Sequence, residues 1–174
     1  MGGRVGFEVY RKAPERVTHI AMFDTNYLPM PAGEAGENET RGRRELLDLA
    51  RAQGMRVMSR KWLDGMIPPY RQSDKALVEE IISMFERKSP DLFERQMRAL
   101  LNRPDAGPVL RQVKCPALVL TGMDDAWSPP ERHREMAAMI PNSTLVLVDK
   151  CGHMSIMERP DEVSRAMRRW LGRQ

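Results

Sequence analysis

Cys115-Pro116-Ala117-Leu118-Val119-Leu120-Thr121-Gly122-Met123-Asp124-Asp125-Ala126-Trp127-Ser128-Pro129 is the stretch from which the rest of the chain can be read. Its apolar run, Ala117 to Leu120, is continuous rather than alternating, as in a strand covered on both faces. It ends at Thr121-Gly122, and two acids follow at once. Two further runs have the same character: Val17-Thr18-His19-Ile20-Ala21-Met22-Phe23 and Thr144-Leu145-Val146-Leu147-Val148. A helical pattern stands before or after each run. The expected class is therefore α/β, with about three parallel strands, flanking helices and right-handed crossovers.

Downstream of the central run, Ser128 is a candidate N-cap, Pro129 suits a first turn and Glu131 completes a capping-box spacing. Met136, Met139 and Ile140 then share a face. A last helix is expected from about Pro160, with Val163, Met167, Trp170 and Leu171 in register. At the other end, Val5 and Val9 with Phe7 and Tyr10 predict a helix from about Gly3 to Ala13, ahead of the first strand.

The segment between the first two strands is far longer than an ordinary crossover. Pro29 to Asn38 reads as a Pro/Gly/Glu-rich loop. Four apolar helical stripes follow: Leu46, Leu49 and Ala50; Met55, Met58 and Trp62; Leu77, Ile81, Met84 and Phe85; Phe93, Met97, Leu100 and Leu101. Ser89-Pro90-Asp91 is a helix-start signal. The organisation expected is a core portion made of residues 1–28 and 108–174, carrying a helical cap over residues 29–107. The 14 methionines, at helical spacing, read as core packing, although a Met-lined cap also suits an apolar ligand.

Composition excludes several classes. Of the 174 residues 41% are hydrophobic and 30% charged, enough to build a core and unlike a disordered chain. No apolar run approaches the roughly 18 residues of a membrane span, and the start lacks a secretory apolar region. A soluble cytoplasmic protein is expected. The net charge of +4 is spread over scattered Lys and Arg with acidic neighbours, which does not indicate nucleic-acid binding. Two cysteines, Cys115 and Cys151, fit neither a zinc knuckle nor a CxxC pair.

Two loops could carry chemistry, each at the C-terminal end of a buried strand, where open α/β sheets place their sites. One is Thr121-Gly122-Met123-Asp124-Asp125; the other is Asp149-Lys150-Cys151-Gly152-His153-Met154. A carboxylate beside an imidazole fixes its tautomer and stabilises its protonated form, leaving the other ring nitrogen as a base. Spacing alone also allows, and more readily, that the acids cap a turn and that His153 is a satisfied loop residue. His19, inside the first strand, and His133, on a helix, have no partners at metal-ligand spacing, so no metal is expected. Cys151 reads as structural, since nothing marks an activating environment for a thiolate.

Taken together, the segment 115–129 resembles the acid-bearing segment of α/β-hydrolase fold enzymes. Cys151-Gly152-His153-Met154 with Glu158-Arg159-Pro160 resembles their catalytic-histidine segment. The resemblance implies Asp125 as the acid, with Asp124 as the alternative, and His153 as the base. The opening, Met1 to Val9 and on through Ala13-Pro14-Glu15-Arg16-Val17, is similar to the helix and strand after the family's nucleophile elbow, G-x-S-x-G. Met1-Gly2 matches only the last two positions of that motif. The serine is therefore expected just before Met1, outside this chain, and Met1 would supply one oxyanion-hole amide. None of the eight serines in the chain, and neither cysteine, is flanked by the elbow's glycines.

The resemblance implies hydrolysis of a small-molecule ester or lactone in an intact relative, without metal or organic cofactor, and inactivity of the segment alone. The region from Ala52 to Trp62 and on to Pro68-Pro69 is similar to the cap of enol-lactone hydrolases, with carbon–carbon hydrolases of ring-cleavage products as the rival. Trp62, Trp127 and Met154 are the implied substrate contacts. A different class is also open: a non-catalytic module binding a partner chain, or itself, through an exposed first strand.

Overall fold

The computed structural model describes residues 1–172. They form two compact units: Met1–Leu28, Met66–Pro68 and the chain from Asp105 onward make the first, and Pro29–Gly65 with Pro69–Pro104 the second.

The first unit is built on a parallel three-stranded sheet in the order β1-β2-β3, with β1 Ile20–Phe23, β2 Ala117–Gly122 and β3 Ser143–Val148. Ile20 lies opposite Ala117, and Ala117 opposite Ser143. Every residue of β2 is buried, as its unbroken apolar run predicts, whereas β1 and β3 are partly open. The first strand is shorter than the run 17–23. Pro14–Arg16 forms a 3-10 turn, and pairing begins only at Ile20. His19 thus precedes the strand instead of lying in it, with its ring edge-on to Trp170 at 5.5 Å.

Alternate β2 residues serve the two faces. On one face Ala117 and Val119 pack with Ile20, Met22, Phe7 and Tyr10, and with Met136 and Ile140. Phe7 and Tyr10 come from α1 (Gly2–Lys12), and Met136 from α7 (Pro130–Met139). On the other face Leu120 and Val148 pack with Cys151 and with Val163 of α9 (Pro160–Trp170). A short helix, α6 (Gly107–Leu110), leads toward β2, and α8 (Ser155–Glu158) follows the His153 loop. In α1 only half of the expected stripe is buried: Val5 and Val9 are 55% and 50% exposed.

The α7 start differs from the capping-box reading. The helix begins at Pro130 behind Pro129, with no side-chain cap. The Ser128 N–H instead donates to Asp125, and the chain enters the helix one residue later than the motif suggests.

The second unit consists of α2 (Gly33–Gln53), α3 (Met55–Leu63), α4 (Lys75–Glu86) and α5 (Pro90–Leu101). Ala50, Met55, Met58, Phe93 and Met97 form its core, with Leu46, Leu49 and Trp62 against them, so these methionines are packing residues. Gly54, at φ 88, separates α2 from α3, a conformation that L side chains resist. Ser89 Oγ caps α5 by accepting the Leu92 N–H at 3.2 Å. The expected loop over 29–38 is helical from Gly33. Glu39 accepts from Arg43 at i,i+4 and from both Arg103 nitrogens, at 2.7 and 2.8 Å, and these bonds favour the helix against its glycines. No helix among the described residues is long and apolar enough to cross a membrane.

Candidate active site

At the C-terminal end of the sheet the loops after β2 and β3 are bonded to each other. Met123 N–H donates to Val148 O at 2.9 Å, and Asp124 N–H to Cys151 O at 2.8 Å. The crossing is tight enough that a Cβ on Gly122 would collide with the Cys151 carbonyl. This packing turns Asp125 inward, where it is 2% exposed, and leaves Asp124 at the surface.

The Asp125 carboxylate meets His153: Oδ2 is 2.9 Å and Oδ1 3.1 Å from Nδ1. Oδ1 also accepts the N–H of Trp127 at 2.9 Å and of Ser128 at 2.8 Å, and Oδ2 accepts the Thr121 hydroxyl at 3.0 Å. Burial alone would raise the Asp125 pKa. The hydrogen bond and charge of His153, with the Ser128 and Trp127 amides, outweigh it and hold the carboxyl below its ordinary range. An ionised acceptor at Nδ1 keeps that proton on Nδ1 and leaves Nε2 with the lone pair. The imidazole, 20% exposed, lies against the Trp127 ring with centroids 5.1 Å apart.

His153 is itself held by its neighbours. Its N–H donates to Met66 O at 2.9 Å. Glu158, buried in α8, accepts the N–H of Gly152 at 3.0 Å and of Met154 at 3.1 Å. One carboxylate thereby fixes the peptide on each side of the histidine, an arrangement that leaves the ring little freedom.

Of the other sequence-predicted residues, Met154 adjoins the histidine and is half-buried, and Met1 is the exposed N-cap of α1, its carbonyl accepting from Arg4 at 2.9 Å. Trp62 packs against Phe85 and Phe93 in the second unit, at centroid distances of 4.8 and 5.2 Å. Cys151 is fully buried and its thiol pKa is pushed far up by burial and the nearby carboxylates, the opposite of an activated thiolate.

Two polar residues near the site have roles that the sequence reading did not give: Asp24 went unremarked, and His133 was considered only as a metal ligand. His133 is buried in α7; its Nε2 accepts the Thr25 N–H at 3.2 Å and its Nδ1 faces Pro129 O at 3.3 Å. Burial lowers its pKa, so it is a neutral strut between α7 and the turn after β1. Asp24, in that turn, reaches Ser155. A usable signal existed: Asp24 also follows a buried strand at its C-terminal end, as the two loops singled out do.

A buried acid, a histidine with one free ring nitrogen, and both at the C-terminal edge of a parallel sheet define a recognisable class of architecture. The model of the alpha/beta hydrolase family matches residues 1–166. A thermophilic esterase from Thermogutta terrifontis superposes with a TM-score of 0.87 at 29% identity, over 98% of this chain and 61% of that one. The enol-lactonase from Burkholderia xenovorans LB400 has a TM-score of 0.82 at 22% identity, a likeness of fold, over 99% of this chain and 63% of that one. A 2-hydroxy-6-oxononadienedioate/2-hydroxy-6-oxononatrienedioate hydrolase of Burkholderia vietnamiensis is 24% identical over 183 residues, 99% of this chain and 60% of its own length. Each relative is thus matched over less than two thirds of its length. Matched almost from end to end by the family and carrying its sheet, the chain belongs to the alpha/beta hydrolase family.

Proposed function

We propose that this chain supplies the acid and base of a Ser-Asp-His hydrolase acting on a small-molecule ester or lactone. The observation that carries the reading is the 2.9 Å contact between Asp125 Oδ2 and His153 Nδ1, made by a carboxylate that also holds two amides and a hydroxyl. In the proposed mechanism His153 Nε2 takes the proton of an attacking serine and later delivers it to the leaving alkoxide. Asp125 holds the ring and balances the imidazolium charge. The serine lies outside the 174 residues, and the Met1 amide contributes to the oxyanion hole. Trp127 and Met154, which adjoin the imidazole, are proposed substrate contacts, and Trp62 belongs to the same proposal. The esterase and enol-lactonase likenesses support a carboxylic ester or enol lactone as the substrate class.

The test is to purify the gene's product from its native host and assay p-nitrophenyl esters and an enol lactone, with a fluorophosphonate probe for the serine. Turnover and labelling, with turnover abolished by His153→Ala, are expected. Absence of both labelling and turnover would overturn the reading. A second reading, a module that binds a partner chain, is favoured by Val5 and Val9 standing exposed on α1 and by β1 pairing with β2 alone among the described residues. It predicts a stoichiometric complex, with a second chain or with itself, in sedimentation of the native product and no labelling.

A further inference from the structure

Asp24 closes β1. Its N–H donates to Leu120 O at 3.0 Å, in continuation of the strand ladder. Its φ is 47, in the left-handed region that non-glycine residues enter at a cost. The side chain crosses to α8, where Oδ2 accepts both the N–H of Ser155 at 3.1 Å and its hydroxyl at 2.6 Å. Ser155 is the first residue of α8, two positions after His153. The other oxygen, Oδ1, is buried and makes no hydrogen bond. A strained backbone and an unsatisfied buried oxygen are both unfavourable for folding, and both accompany the carboxyl group's reach to Ser155.

We propose that Asp24 is a positioning residue for His153: through Ser155 it braces the turn that carries the imidazole. For catalysis this rests on His153 being the base proposed above. The bracing complements that of Glu158, which holds the peptides on either side of the histidine, while Asp24 holds the residue that follows them.

The titratable groups facing Asp24 are His153, Asp125 from the loop after β2 and Cys151 from the loop after β3, with Glu158 of α8 beyond the thiol. Burial raises the Asp24 pKa to about 7; the Ser155 bonds and His153 work against the rise, and Asp125 adds to it.

Two substitutions separate brace from charge. Asp24→Asn can present its carbonyl oxygen to Ser155 and is neutral at every pH; asparagine also tolerates the left-handed backbone. Asp24→Gly removes brace and charge together while relieving the backbone, so that strain does not confound the result. The readout is imidazole NMR of the 174-residue chain, whose three histidines include His19 and His133 as internal controls. In Asp24→Asn, which keeps an acceptor for Ser155, the low-field Nδ1–H resonance of His153 is expected to be retained, a rescue by the conservative variant. In Asp24→Gly that resonance is expected to broaden or vanish through exchange with water. If Asp24→Gly does not fold, Ser155→Ala takes its place and is expected to speed exchange of the same proton. A sharp, slowly exchanging Nδ1–H in Asp24→Gly or its substitute, or loss of that resonance in Asp24→Asn as well, overturns the proposal. Neither readout involves turnover, so failure of the hydrolase reading and failure of this one are separately visible.

Discussion

Asp125 and Asp24 stand after neighbouring strands of one sheet, are both shielded from water, and both interact with the same imidazole, yet their acidities move in opposite directions. Asp125 is held below its ordinary range and Asp24 is raised to about 7. Burial pushes both upward. What separates them is the supply of donors: Asp125 receives Thr121, Trp127, Ser128 and His153 across its two oxygens. Asp24 receives only Ser155, at one oxygen, and its other oxygen has none. Hydrogen-bond donors aimed at the charged form, rather than depth, decide which carboxyl stays ionised.

The largest expected effect breaks the Asp125 side. In the enzyme with its nucleophile, Asp125→Asn should lower kcat roughly ten-thousand-fold, because an amide cannot hold the imidazole in the required tautomer; steady-state kinetics checks this. Next comes the pH dependence of stability. An acid whose folded-state pKa is raised stabilises most below its unfolded value and loses that contribution as pH rises through the folded one. For Asp24 the window runs from 3.8 to about 7. Urea unfolding should therefore show the stability of Asp24→Asn relative to wild type rising across that window, by on the order of 4 kcal/mol. Asp125, with its lowered value, has the opposite sign: its contribution is present above the ordinary carboxylate range and is lost as pH falls through the folded value.

Glu158→Ala leaves the Gly152 and Met154 amides without their acceptor and should cost about 2–3 kcal/mol in the same assay. The smallest effect sharpens the donor argument. Thr121→Val removes one donor from Asp125 and should cost about 1 kcal/mol, with the acid limb of the stability curve moving to higher pH. An unchanged acid limb would mean that the hydroxyl has no part in holding the carboxyl ionised.

The parallel sheet and the four helices of the second unit were legible because continuous apolar runs and 3.6-residue stripes are local signals, whereas acids at strand ends marked only the two loops and the pairing of Asp125 with His153 came from the family resemblance. Ser128 and the loop before α2 misled for a shared reason. A capping motif and a glycine-rich stretch state propensities, and other bonds overrode both: Ser128 N–H goes to Asp125 three residues before it, and Glu39 is tied to Arg103 across 64 positions. Asp24 and Glu158 show a further limit of local reading. The place of Asp24 after a buried strand marks it as a sheet-edge residue, but nothing in either neighbourhood tells a carboxylate that braces a loop from one in solvent, since the partners, Ser155 and the Gly152 and Met154 amides, are set by the fold. Val5 and Val9 mark another: an apolar stripe states that a helix has a face, not which element covers it.

Gly122 carries a consequence for how freely this region can vary. A single added carbon there meets the Cys151 carbonyl, the oxygen that receives the Asp124 amide and ties the acid loop to the histidine loop. Replacement by any of the other nineteen amino acids would therefore pry the two loops apart. In a saturation library position 122 should accordingly be nearly blank, whereas Met123 and Ala126, exposed on the same loop, should accept most side chains.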